Sequence, residues 1–230
     1  GTIITAELSD MMWRDCYKVS SIERYPLAWD KRDIDTALDS WLVHDFGQPW
    51  KHHNWELTLH PAGHIPGAAM LHIQTPQQSV LLTGDFDTRD SSLVAGAQPV
   101  KADILFVEGT YGGRDHPPKE EEIQRFIEAV ESVVRRGGTV LIPAFANGRT
   151  QDVVMLLHQH LPHLNVHVDG MGKRVAKTHL NNPSLLRDAS ALERAWRWAK
   201  QVSGKSDRKK ALAADVIVST SGMLSGGPAL

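Results

Sequence analysis

"ADILFVEGTYGG", residues 102–113, separates two kinds of sequence in this chain. Its first half holds a nearly continuous apolar run, the pattern of a strand buried on both faces of a sheet. Its second half sets Glu108 before Gly109 and the Gly112-Gly113 pair, which signals a turn. Upstream, strand patterns follow closely: "WELTLH" (55–60), "AAMLHIQT" (68–75) and "SVLLTG" (79–84), with "PQQ" as a hairpin turn. Further upstream, residues 2–5 read as a strand and the next residues as a helix to about 19. A second helix over about 30–45 opens with Asp30 and has Asp33 three residues on.

Downstream the rhythm becomes strand–helix alternation. Ile123, Phe126, Ile127, Val130, Val133 and Val134 recur at helical spacing within 119–136, and Gly137-Gly138 closes that helix. "TVLIPA" (139–144), a helix over 148–160, "NVHVD" (165–169) and a helix near 172–180 follow. Ser190 and Glu193 have the spacing of a capping box for a helix through Gln201. "GKSDRKK" (204–210) reads as a solvated turn, and "ADVIVST" (214–220) as the last strand. Hairpins before the turn and alternation after it predict an α/β chain of two parts, residues 1–112 and 113–230.

The 230 residues carry a formal net charge of −2, so any nucleic-acid partner must be gripped by a local patch. The single cysteine, Cys16, excludes an intrachain disulfide and a thiolate zinc site; it reads as a half-buried hydrophobe in the first helix. No window reaches 18 consecutive apolar residues and no charged-then-apolar leader opens the chain, which predicts a cytoplasmic protein and no membrane partner. The chain opens at Gly1 in a strand pattern and stops directly after another, and so reads as cut at both ends.

Three strand ends carry reactive side chains. His64 sits between Gly63 and Pro66-Gly67 in "HPAGHIPGAAM" (60–70), Asp85 closes "VLLTGDF" (80–86), and Glu108 follows 102–107. Each alone has an ordinary reading: a surface histidine, an Asx-turn, an ion-paired glutamate. Together they would meet at a sheet edge, where an imidazole and carboxylates suit zinc or manganese. "HQHLPH" (His158, His160, His163) is set aside, because positions i and i+2 on a helix point about 200° apart.

"HPAGHIPGAAM", "LLTGDF" and "ADILFVEGTYGG", in this order, resemble the metallo-β-lactamase-fold nucleases of the β-CASP group. That group includes the 3′-end processing endonuclease of the polyadenylation machinery, its prokaryotic relatives and RNase J. The likeness continues through "GGTVLIPAFANGRTQDVVMLL" (137–157), "VHVDGMGKRV" (166–175) and "DVIVSTSGMLSGGPAL" (215–230), weakening over 18–55. It implies a partial αββα metallo-β-lactamase sandwich with a partial inserted α/β β-CASP domain. It implies metal-dependent hydrolysis of single-stranded RNA by hydroxide attack at two zinc ions, or manganese, and a homodimeric parent.

On that resemblance His64 is a terminal ligand of one metal, Asp85 bridges both, and Glu108 works with a later histidine around the leaving group. Arg149 of "ANGRTQ" stands at a helix start and suits a phosphate; an intramolecular ion pair is the equal alternative. The family's His-x-His-x-Asp-His cluster would precede Gly1 and its later histidines would follow Leu230, so the 230 residues alone are expected to be inactive. A DNA-directed nuclease of the same group and a non-catalytic scaffold subunit are the alternative readings. A small-molecule hydrolase of this metal fold would not need the β/α sequence after residue 113.

Overall fold

The computed structural model describes residues 1–220 and residue 228, so most of "SGMLSGGPAL" (221–230) lies outside the described residues. The described residues are mixed α/β with two sheets, and the chain divides into two compact units, residues 1–90 with 95–108, and residues 91–94 with 109 onward. No helix among the described residues is long and apolar enough to cross a membrane.

The first unit opens with helix α1 (Ile3–Glu23), not with the strand expected at residues 2–5. Thr2, Ile3, Ile4 and Thr5 favour extended structure locally, but Ile4, Leu8 and Met11 share one helical face and are buried together. Burial of that face outweighs the local preference. Cys16, expected half-buried, is exposed on the same helix because it lies off that face. Helix α2 (Lys31–Asp39) starts as the sequence predicts. The Asp30 carboxylate accepts the Arg32 amide at 2.6 Å, and Asp33 accepts the Asp30 amide at 2.8 Å. It ends at Asp39 instead of about 45, where Trp41 donates its amide to Leu38 and tightens the last turn.

Strands β1 (Trp50–His52), β2 (Trp55–Pro61), β3 (Ala69–Gln74), β4 (Ser79–Leu82) and β5 (Ile104–Phe106) form one sheet in sequence order. The pairs from β1 to β4 are antiparallel and β5 runs parallel to β4. Thr75 closes the "PQQ" turn by donating its amide to Gln78 at 3.0 Å. The register sets Leu71 against Leu82 and Leu82 against Phe106. The β2–β3 loop and the segments after β4 and β5 therefore leave the sheet at one end.

The burial expected for β5 does not hold. Ile104, Leu105, Phe106 and Val107 are 37–61% exposed. A continuous apolar run presumes cover on both faces, and among the described residues β5 is an edge strand paired only with β4.

In the second unit, β6 (Val140–Ala144), β7 (Val166–Asp169), β8 (Lys200–Gln201) and β9 (Val216–Thr220) make a parallel sheet in the order β6-β9-β7-β8. Helices α3 (Lys119–Arg135), α4 (Arg149–His160), α5 (Gly172–Asn181), α6 (Ala189–Trp198) and α7 (Lys205–Ala211) accompany it. Val154, Leu157, Val168, Leu192, Val216 and Val218 form the centre of its core.

Three expectations are corrected here. The cap of α6 is Asp188, extended and accepting the Ala191 amide at 2.8 Å, while Ser190 lies inside the helix. The helix also stops at Trp198, since Lys200 and Gln201 pair with β7 as β8. The basic run at 204–210 is helix α7, not a turn. Its Arg208 donates to Asp169 at 2.7 Å, and Asp169 at the end of β7 is only 7% exposed, so a buried carboxylate recruits the cation.

Candidate active site

Glycine seats the loop that carries His64. Gly63 has φ +70°, and a Cβ there would lie 2.3 Å from the Asp87 carbonyl oxygen and 2.5 Å from the Ala97 nitrogen. With that space kept open, Asp87 donates its amide to Ala62 at 3.0 Å and Ala97 donates to Asp87 at 2.8 Å. On the other side Gly67 (φ +84°) lies against Ile4, and the Thr2 hydroxyl donates to its carbonyl at 3.0 Å. The loop is thus clamped between α1 and the segment after β4, and His64 stands exposed on it.

Asp85 sits in that neighbouring segment, also exposed, just after Gly84 (φ +55°). Thr83, 4% exposed, joins this segment to the end of β5. Its amide donates to Phe106 at 3.0 Å, and its hydroxyl oxygen accepts the Glu108 amide at 3.3 Å. His64, Asp85 and Glu108 therefore belong to three backbone segments linked by hydrogen bonds at one end of the first sheet.

Arg149 belongs to the second unit. It is the first residue of α4, its side chain is 69% exposed, and its guanidinium lies 4.0 Å from the Asp152 carboxylate. Burial pushes the Asp152 carboxyl above the usual range, with Arg149 and Lys119 acting against that rise.

No family model matches the chain. Curated relatives do. A probable RNase (MJ4) of Methanocaldococcus jannaschii is 32% identical over 99% of this chain and 56% of its own length. RNase aCSPSF2 of Saccharolobus solfataricus is 30% identical over 100% of the chain and 47% of itself. Cleavage and polyadenylation specificity factor subunit 3 of Dictyostelium discoideum is 37% identical over 68% of the chain and 20% of itself. The chain belongs to the β-CASP metallo-β-lactamase family. It spans about half the length of the first two of these relatives.

Among the described residues of this β-CASP chain, no group of three or more His, Cys, Asp or Glu side chains is arranged to hold a metal ion. His64 and Asp85 offer donors suited to zinc or manganese on adjacent loops, one fewer than the three protein ligands of a catalytic zinc site.

Sequence reasoning missed the residues that hold these segments in place. Thr83 is one. Gln151, fully buried, is another: its Oε1 accepts the Gly148 amide at 2.9 Å, and its Nε2 donates to the carbonyls of Ala146 at 3.0 Å and Gly172 at 2.9 Å. His179 of α5, also fully buried, lies 3.0 Å through Nε2 from Asn147 Oδ1, and burial lowers its imidazole pKa to about 4. These contacts hold the "ANGR" turn that presents Arg149. The Gly148-x-x-Gln151 spacing, half of a capping box, is the signal that could have exposed Gln151.

Proposed function

We propose that the protein containing this chain hydrolyses phosphodiester bonds of single-stranded RNA, with a divalent metal centre of zinc or manganese. The observation that carries the reading is the linkage of the His64, Asp85 and Glu108 segments at one sheet end, in a chain whose relatives are named RNases and a cleavage factor. His64 and Asp85 would hold the metal centre together with ligands from other residues. When bound, that centre supplies an acidified water and charge stabilisation at phosphorus. Glu108 holds or delivers the proton needed at the departing 3′-oxygen, and Arg149 orients a phosphate by its guanidinium at the N-terminus of α4. The lone Cys16, with no disulfide to maintain, accords with work in the cytoplasm.

The test uses the full-length protein and its Asp85→Ala variant on end-labelled single-stranded RNA and DNA of one sequence, with metal content and thermal unfolding recorded in parallel. The reading requires RNA cleavage by the parent, lost in the variant together with bound metal while cooperative unfolding persists. A metal-free, inactive parent would make it a scaffold subunit, and preferential cleavage of DNA would move the substrate class.

A further inference from the structure

The helical pair at the start of the chain contains an aromatic pocket that the nuclease reading does not use. It encloses about 250 Å³ and is lined by Trp13 of α1, Trp29 of the connection, and Asp33, Ile34 and Ala37 of α2. Each indole packs against a second aromatic ring. Trp13 leans on Trp41 with ring centroids 6.4 Å apart, and Trp29 leans on Tyr17 at 6.2 Å. Asp33 spends Oδ2 on the Asp30 amide, and Oδ1 has no hydrogen-bond partner among the described residues.

Two observations say what such a pocket takes. Aromatic faces attract cations through their negative quadrupole, most strongly in tryptophan, and a nearby carboxylate adds direct attraction. This cluster already does so within the chain, since the Lys31 ammonium stands 5.5 Å from the centroid of the Tyr17 ring. The surrounding charge has the matching sign: residues 3–39 hold eight Asp and Glu against five Lys and Arg. That excess repels phosphate, which argues against a stacked nucleobase of the RNA.

We propose that the pocket between α1 and α2 receives the guanidinium of an arginine presented by a basic segment of a partner protein. The planar guanidinium stacks on an indole while its N–H groups reach Asp33, a combination a lysine ammonium does not match. The proposal is independent of the nuclease reading, because none of its residues belongs to the candidate active site.

The experiment is a titration of the 230-residue chain followed by the indole N–H resonances in a nitrogen–proton correlation spectrum. The probe is a blocked glycine-rich pentapeptide with a central arginine; the controls are the same peptide with glutamine there and an oligoadenylate RNA. Saturable shifts of the Trp13 and Trp29 indoles are expected with the arginine peptide alone. Asp33→Asn, which keeps an acceptor for the Asp30 amide, should weaken binding about tenfold, and Trp29→Ala should abolish it. Circular dichroism checks that both variants retain their helices. The proposal is overturned by the absence of saturable shifts at millimolar peptide, by undiminished affinity in Asp33→Asn, or by tighter binding of the RNA to the same two indoles.

Discussion

The Thr83 hydroxyl oxygen accepts the Glu108 amide hydrogen at 3.3 Å, 25 residues away in sequence. With the Thr83 amide bonded to Phe106, one buried side chain extends the β4–β5 pairing past its last ladder pair, Leu82 with Phe106. Asp85 lies two residues beyond Thr83, so the two proposed acidic residues share this anchor.

Thr83→Val keeps the shape and removes the acceptor. It should lower the stability of the chain by about 1–2 kcal/mol in urea unfolding, the cost of losing the hydrogen bond between the segments after β4 and β5. Thr83→Ser should regain most of that. If serine proved no better than valine, the hydroxyl would not be the anchor.

Gly63 and Gly47 offer a matched pair. Both have positive φ, +70° and +71°, but a Cβ at Gly63 meets the Asp87 carbonyl at 2.3 Å whereas one at Gly47 meets nothing within 4 Å. Gly47→Ala should cost only the backbone strain, about 1 kcal/mol, and Gly63→Ala about 3 kcal/mol or more. Equal losses in chemical denaturation would mean that the His64 loop is not seated on the Asp87 segment.

Replacing Gln151 by leucine strips three hydrogen bonds, two to the turn before α4 and one to Gly172 at the start of α5. Loss of about 3 kcal/mol is expected, with faster amide exchange at Gly148. A variant as stable as the parent, with unchanged exchange, would show that the turn is held by other contacts.

His179 gives the fold a pH dependence. Its folded pKa of about 4 lies below the ordinary 6.5, because burial penalises the charged ring. The unfolded chain therefore binds more protons between those values, so the contribution is full above about 6.5 and fades as pH falls toward 4, by about 3 kcal/mol in all. His179→Gln should flatten this part of the stability–pH curve. The raised Asp152 carboxyl contributes a slope of opposite sign, which cancels in the comparison of parent and variant.

What could be read ahead of the structure was local in origin. The α2 cap at Asp30, the α3 stripe ending at Gly137-Gly138 and the hairpin through Thr75 and Gln78 involve partners within a few residues. His64, Asp85 and Glu108 drew notice because each follows a strand pattern beside a glycine. Thr83 and His179 did not, because their partners lie 25 and 32 positions away, and only the local half of Gln151's bonding, to Gly148 and Ala146, has a trace in the sequence. Ser190 misled because the cap lies two residues earlier, where the extended backbone at Asp188 lets its carboxylate accept the Ala191 amide.

Residue order alone specifies the change from hairpins to strand–helix alternation and the placement of reactive side chains at strand ends, since periodicity and turn chemistry act over short spans. Only tertiary packing made residues 3–5 the start of a helix and left β5 an exposed edge. It also decided that the His64, Asp85 and Glu108 segments are bonded to one another. Those outcomes depend on which distant surface each segment meets, because burial and long-range hydrogen bonds outweigh the preferences of the residues themselves.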